Sequence, residues 1–175
     1  ALARVRQLAF RLTCGTNLAG IGKAMLIYAN DYEDELPRAG GRQSQWGGPV
    51  QWAADNRYTA YGVQQSDGSG GKATISSCFY LLVKYAEVTP KSFVCKGDTG
   101  TTEWQLADEQ NVPTGFEMID AWDFGASPYD HCSYSYHVPF GQYALTTSSE
   151  PGLAVAADRN PWLTSPAAEA GEETP

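Results

Sequence analysis

Apolar residues along the first part of the chain recur with the spacing of an α-helix. They form two runs, Val5 to Leu12 and Leu18 to Tyr28, and steps of three and four residues within each run place its members along a helix face. The members of this stripe are Val5, Leu8, Leu12, Leu18, Ile21, Met25 and Tyr28. The pattern predicts one helix over residues 1–32, because Pro37 and its neighbour cannot continue it. Such a helix is about 48 Å long, longer than the ~26 Å diameter of a 100-residue domain. We therefore expect its N-terminal end to project.

The rest of the chain predicts a small body with little regular structure. A second helix is expected over residues 76–87, with Ser76 or Ser77 as its cap. Short strands are expected over residues 93–95, 132–138 and 153–157. The predicted class is α+β, with the long N-terminal helix packed on a small antiparallel sheet, one short second helix and long loops. The expected divisions are a helix over residues 1–36, a head over residues 37–164 and a disordered tail over residues 165–175.

The charge is negative overall and unevenly distributed. With 12 basic and 20 acidic residues among 175, the formal net charge is −8, which argues against a nucleic-acid partner. The first 23 residues nevertheless carry Arg4, Arg6, Arg11 and Lys23 and no acidic residue. A basic helix on an acidic body fits a membrane-surface anchor, a self-association device or an ordinary solvated face. No apolar run approaches the ~18 residues that a membrane span needs.

The usual catalytic and metal-binding patterns are absent from the sequence. The segment ending in Gly71-Lys72 lacks the first glycine and the final Ser or Thr of a phosphate loop. The cysteines form no close pair, and His131 and His137 are too far apart on an extended strand to share a metal ion. Asp120 and Asp123 suit a sugar hydrolase, but solvated loop acids explain them better. We predict that the protein is not an enzyme and has no cofactor. Calcium is the one ion for which its many acidic residues supply suitable ligands.

The four cysteines indicate disulfide bonds. Cysteines far apart in an acidic, loop-rich domain would stabilise it in an oxidising compartment. Three pairings are possible, and we favour Cys78–Cys132, with Cys14 and Cys95 either paired or free. The alternative is four buried thiols in a reducing cell.

Aromatic residues in residues 38–74, a long glycine-rich loop that we call the excursion, provide a second functional hypothesis. Trp46, Trp52, Tyr58 and Tyr61 fit a flat surface that binds glycans, as in an extracellular carbohydrate-binding module. They equally fit a miniature core of the excursion itself.

The N-terminal motif resembles a known family. Cys14, Asn17, Leu18, Ile21 and Gly22 form a C-x-x-N-L-x-x-I-G turn, and residues 28–37 follow as Y-x-x-D-x-x-x-x-x-P. This stretch resembles the helix after the membrane segment in prepilin-like proteins, above all the type II secretion G-like pseudopilins of planctomycete-type bacteria. Residues 81–85, 90–95, 133–136 and 157–161 extend the resemblance over residues 2–161.

The resemblance implies a structural subunit of a pseudopilus or type IV pilus-like filament. In that family a cleaved and methylated prepilin leader precedes a hydrophobic half-helix, which we expect to be missing ahead of Ala1. The implied partners are copies of the chain, a secretion or pilus assembly machinery, and a membrane reached through that segment. The implied location is extracytoplasmic, as an inner-membrane-anchored protein or an extracellular filament. The family's C-terminal calcium loop has no match here and is not carried over. The residues assigned to assembly are Val5, Leu8, Leu12, Leu18, Ile21 and Met25, either in a filament core or docked on the head.

Overall fold

The computed structural model describes residues 2–141 and 144–159. It is a mixed α+β structure in which a long N-terminal helix accompanies small sheets and long connections, as the sequence predicts in outline. The regular elements are α1 (Leu2–Asp31), β1 (Gln45–Trp46), α2 (Arg57–Tyr61), β2 (Lys72–Ala73), α3 (Ile75–Tyr85), β3 (Tyr134–Tyr136) and β4 (Ala156–Asp158). Short 3-10 helices lie at Pro90–Phe93, Leu106–Asp108, Met118–Asp120 and Pro128–His131. The predicted tail over residues 165–175 lies outside the described residues.

The first helix forms as one unbroken element, which confirms the periodicity. Its end is set by Glu33 and Asp34, whose positive φ angles turn the backbone out of the helix. The Asp34 N–H donates to the Ala29 carbonyl at 2.9 Å, which satisfies one of the last free carbonyl groups. Pro37 then prevents the helix from resuming.

The core is built around α3. Its Phe79, Tyr80 and Leu82 side chains are fully buried. A capping box begins the helix, in which Thr74 Oγ1 accepts from the Ser77 N–H and Ser77 Oγ accepts from the Thr74 N–H. The predicted caps, Ser76 and Ser77, are therefore wrong by two or three positions. Ring contacts join α3 to the irregular segment through Phe79–Phe93, Tyr80–Trp104 and Tyr80–Phe124, and Trp52 packs in turn against Trp104.

The sheets are smaller than predicted. Strands β3 and β4 pair antiparallel, with Tyr134 opposite Asp158, and they lie near α1. Strands β1 and β2 form a separate parallel pair. The expected strand over residues 93–95 is wrong, because Pro90 begins a 3-10 helix that runs to Phe93. That segment still joins the β3 side of the body, since the Ser133 N–H donates to the Phe93 carbonyl at 2.8 Å.

The disulfide prediction is corrected in its pairing. Cys14 and Cys95 are bonded, whereas Cys78 and Cys132 are free thiols, so the favoured Cys78–Cys132 pair is wrong. Each free thiol is buried and has a local partner. Cys78 Sγ accepts from the Ala39 N–H at 3.4 Å, and Cys132 Sγ lies 3.5 Å from the Tyr134 carbonyl oxygen. The sulfurs of these two residues therefore bond to separate backbone groups in the folded chain.

Candidate functional site

The six residues assigned to assembly divide into two groups along α1. Ile21 and Met25 are buried against the head, and Leu18 packs partly against the same core. The side chains of the second group stay in solvent, and their exposed fractions are 63% for Val5, 60% for Leu8 and 66% for Leu12. Docking on the head thus accounts for the C-terminal group only.

The boundary between the two groups lies at Cys14. It is the first buried residue of α1, and its disulfide ties the helix to Cys95, 81 residues later. Beyond it, the Asn17 amide donates to the Val94 carbonyl and to the Tyr134 hydroxyl, both at 3.1 Å. Residues 2–13 form the part of α1 that precedes these attachments, and we call this part the arm.

The exposed residues belong to a second stripe, distinct from the stripe that faces the head. Starting at Val5, alternating steps of three and four residues lead to an uninterrupted series of apolar or small side chains. Its members are Val5, Leu8, Leu12, Gly15, Ala19, Gly22 and Leu26. All are exposed except Gly22, which is half-buried. A strict seven-residue repeat of this kind is the pattern by which helices pack along one another. The signal was present in the sequence, but the upstream residues were assigned to the stripe of Leu18.

The helix glycines are not required by the head. A Cβ atom added at Gly15, Gly20 or Gly22 would meet nothing within 4 Å. Each glycine inside a helix costs about 1 kcal/mol relative to alanine. The described part of the chain gives no packing reason for this cost, whereas a closely approaching second helix would.

The arm is basic and its charges are uncompensated. Among the described residues, no acidic group forms an ion pair with Arg4, Arg6 or Arg11. Two of the acids in the turn after α1 are paired instead. Glu35 binds Arg38 at 2.5 Å and Arg42 at 3.3 Å, and Glu33 binds Arg42 at 2.5 Å. These pairs give the acidic turn after α1 a structural role that the sequence did not reveal.

A cleft of about 620 Å³ opens beside this turn. Its aromatic wall contains Tyr28 and Tyr32, whose rings are stacked with centroids 4.1 Å apart. Burial, followed by the neighbouring tyrosines, raises the pKa of Tyr28 above its ordinary value, so its hydroxyl stays protonated. The paired acids and arginines of the turn line the same cleft. The described residues that line the cleft include no Ser, Thr, Cys, His or Lys.

The predicted acid pair is separated in the structure. Asp123 is buried at the start of α3, where its Oδ2 accepts from Thr74 Oγ1 at 2.7 Å and from Ser76 Oγ at 3.1 Å. Burial raises the pKa of Asp123 to about 6, although these hydrogen bonds oppose the rise. Asp120 is exposed, and its Oδ2 accepts from the Glu117 N–H at 2.8 Å. The two carboxyl groups thus stabilise different turns.

The four rings of the predicted glycan surface do not form one platform. Trp46 is 68% exposed, whereas Tyr61 is only 4% exposed and packs edge-on against Trp122. Trp52 meets Trp104 and Phe116 in similar edge contacts. The core of the excursion thus takes up the rings, apart from Trp46 and the half-buried Tyr58.

One group of potential metal ligands occurs among the described residues. It comprises Cys14, Cys95 and Asp158, with ligand atoms within 4.8 Å of one another. Its two sulfurs are joined in the disulfide, and it offers a single carboxylate, whereas calcium takes 6–8 oxygen ligands. These residues therefore do not fit a calcium ion.

Comparison of the chain with protein-family models, with curated proteins and with solved structures gives no match. Within the described residues, no helix is both long enough and apolar enough for a membrane crossing. A functional proposal for this chain therefore rests on its geometry and on the motifs in its sequence.

Proposed function

We propose that this protein is a non-catalytic structural subunit of an extracytoplasmic pseudopilus or type IV pilus-like filament. Copies of the chain assemble through α1, which combines a head-facing stripe with an outward stripe. The sequence motif of residues 14–22 and the long helix on a small α+β head agree with the pilin-like class.

The observation that carries the proposal is the exposed outward stripe of α1. No side chain of the described residues covers Leu8 or Leu12, although each leucine gains about 1.5–3 kcal/mol when it is fully buried. Exposed apolar patches of this kind mark interaction sites on soluble proteins. From Leu12 to Leu26 the seven-residue spacing of the stripe suits contact with a second helix.

The chemistry of the stripe also supports contact between helices. Gly15, Ala19 and Gly22 make its middle shallow, and Leu12 and Leu26 flank that shallow part. A neighbouring backbone can approach closely at such a place, and the leucines on either side fix the register. A contact that joins different surfaces of identical subunits repeats from copy to copy, and it produces a filament when the rotation between copies does not close a ring.

Location and partners follow from the same proposal. The Cys14–Cys95 disulfide supports an oxidising, extracytoplasmic compartment. Copies of the chain are the principal partners, with a secretion or pilus assembly machinery and a membrane as the others. A non-catalytic role is supported by the use of Asp123 and Asp120 in local turns.

Electron microscopy and sedimentation of the purified protein test the proposal. We expect filaments or concentration-dependent oligomers from the wild-type protein. Leu8→Glu places a charge in the outward stripe and should abolish them while leaving the helical signal in circular dichroism unchanged.

Gln7→Glu is the matched control, because it changes the charge by the same amount next to Leu8 but outside the stripe. It should assemble as the wild-type protein does. A wild-type protein that stays monomeric at every concentration, or equal assembly by the Leu8 and Gln7 variants, would refute the proposal.

A further inference from the structure

The head carries an acidic surface with an apolar centre. Residues 103–130 contain seven acidic residues and no basic residue. Within this segment the 3-10 helix Met118–Asp120 leaves Ile119 55% exposed and Met118 38% exposed, between the exposed acids Glu117 and Asp120. Exposed apolar side chains framed by charges are typical of a binding surface rather than of solvated loop.

A cavity lies next to these residues. It has a volume of about 280 Å³, and its lining includes Asp55, Asp120, Phe116 and Trp122. Lys84 is the basic group of the lining, and it is engaged, since its Nζ lies 4.0 Å from the Trp122 ring centroid and donates to the Ile119 carbonyl. Asp55 makes no ion pair among the described residues. We call Asp55, Glu117, Ile119 and Asp120, together with this cavity, the acidic patch.

One face of the arm has the complementary character. Arg4, Leu8 and Arg11 follow one another at steps of four and three, so they share a face of α1 on which a leucine stands between two arginines. All three are exposed, and the arginines lack ion-pair partners among the described residues. Arg6 lies on the opposite side of the helix and is not part of this face.

We propose that the Arg4–Leu8–Arg11 face of one copy docks on the acidic patch of a second copy. Leu8 enters the apolar part of the patch beside Ile119 and Phe116, and the two arginines pair with the carboxylates around it. The apolar centres of the two surfaces meet, and the arginines of one surface meet the carboxylates of the other. This match selects the partner and its orientation.

The two surfaces belong to the same chain but meet between copies. The arm is the first part of α1, and the Cys14–Cys95 disulfide fixes the helix to the head directly after the arm ends. The acidic patch packs on α3 through the Met118 carbonyl, which accepts from the Tyr80 hydroxyl at 2.7 Å. A contact of arm to head leaves a free arm on one copy and a free patch on the other, so it propagates. This inference rests on the proposed function and adds the head surface that α1 contacts. The arm end of the outward stripe contacts the head of another copy, and the stripe from Leu12 to Leu26 remains for a second helix.

Charge reversal on both sides tests the contact. One variant carries Arg4→Glu and Arg11→Glu, and the other carries Asp55→Lys and Glu117→Lys. Each alone places like charges opposite one another, so we expect its assembly, measured by pelleting and light scattering, to weaken by roughly tenfold or more. An equimolar mixture restores both complementary contacts and should assemble as alternating copies, at close to the wild-type level.

Arg6→Glu, compared with Arg11→Glu alone, is the matched control for the arm, because it makes the same charge change on the opposite side of α1 and should assemble normally. A photo-reactive residue in place of Leu8 should crosslink to residues 116–120 of another copy. Circular dichroism confirms that all variants are folded.

The outcomes separate this inference from the proposed function. Filaments of the wild-type protein that neither reversal weakens, or no rescue in the mixture of folded variants, would overturn the docking contact alone. If only the arm reversal has an effect, and that effect is loss of binding to vesicles of anionic lipid, a membrane surface is the partner and the inference is wrong. Absence of any wild-type assembly would overturn the proposed function as well.

Discussion

Removal of the disulfide between Cys14 and Cys95 should lower the free energy of unfolding by several kcal/mol. The bond joins α1, at the point where it meets the head, to the segment after the 3-10 helix Pro90–Phe93. Without it, the N-terminal end of the docked part of α1 is held by the hydrogen bonds of Asn17 and by the burial of Leu18 and Ile21.

The magnitude follows from the length of chain that the bond closes. A sequence separation of 81 residues corresponds, in the chain-entropy description, to about 4.5 kcal/mol at 25 °C. Measured native disulfides contribute about 2–5 kcal/mol. For a protein of this size that loss lowers the melting temperature by roughly 10–15 °C.

Urea unfolding followed by circular dichroism and tryptophan fluorescence measures the effect. Addition of a reductant should lower the free energy of unfolding of the wild-type protein by about 2–5 kcal/mol. The variant with Cys14→Ala and Cys95→Ala should show a similar loss, and the reductant should change nothing further in it. Thiol labelling of the unfolded, unreduced wild-type protein should find two free cysteines, Cys78 and Cys132.

Two results would refute this reasoning. Four labelled cysteines in the unreduced protein, or labelling of Cys14, would mean that the bond is absent. An intact bond whose reduction leaves the unfolding free energy unchanged would mean that the reduced unfolded chain is already confined around residues 14–95.

Two more predictions concern single residues. Asp123→Asn should remove a pH dependence, because the folded carboxyl, with its pKa raised to about 6 from 3.8, holds a proton that the unfolded chain releases earlier. The proton on the folded carboxyl therefore stabilises the wild-type protein fully below about pH 4, and this stabilisation is lost as the pH rises through about 6. Over that pH window, the free energy of unfolding of the variant, measured in urea, should rise relative to that of the wild-type protein by up to about 3 kcal/mol, at about 1.4 kcal/mol per pH unit. A difference between the two proteins that does not change with pH would contradict the assignment. Gly15→Ala should raise the unfolding free energy of the monomer by about 0.5–1 kcal/mol, because the added Cβ meets nothing within 4 Å. A lower melting temperature of this variant under monomeric conditions would show that the head contacts the helix there.

The elements with local signals could be predicted from the sequence. The steps of Leu18, Ile21, Met25 and Tyr28 predicted the buried face of α1, and the structure buries three of the four and half-buries Leu18. The apolar spacing of α3 likewise located a helix to within two residues. These predictions succeed because a repeat of 3.6 residues expresses which side of a helix avoids water.

Other features depended on long-range contacts that the sequence does not state. Residues 93–95 have strand-forming composition, but the ring of Phe93 is held in the aromatic core between Phe79 and Phe124. The backbone that leads to Phe93 forms the 3-10 helix that begins at Pro90. The short helix α2, begun by the Asn56 side chain, was missed because five residues are too few to show a helical repeat.

The outward stripe of α1 also combines features that the sequence determined with one that only the tertiary structure decided. The sequence by itself determined that a long helix exists, that its first part is basic, and that apolar residues recur along it. Which of those residues the head covers was decided only by the tertiary structure, because it depends on where Cys14 meets Cys95. Disulfide pairing, burial of Asp123 and the exposure of Ile119 were decided in the same way. They depend on which distant segments share one compact volume, and four cysteines or seven acids in a linear chain are compatible with many such arrangements.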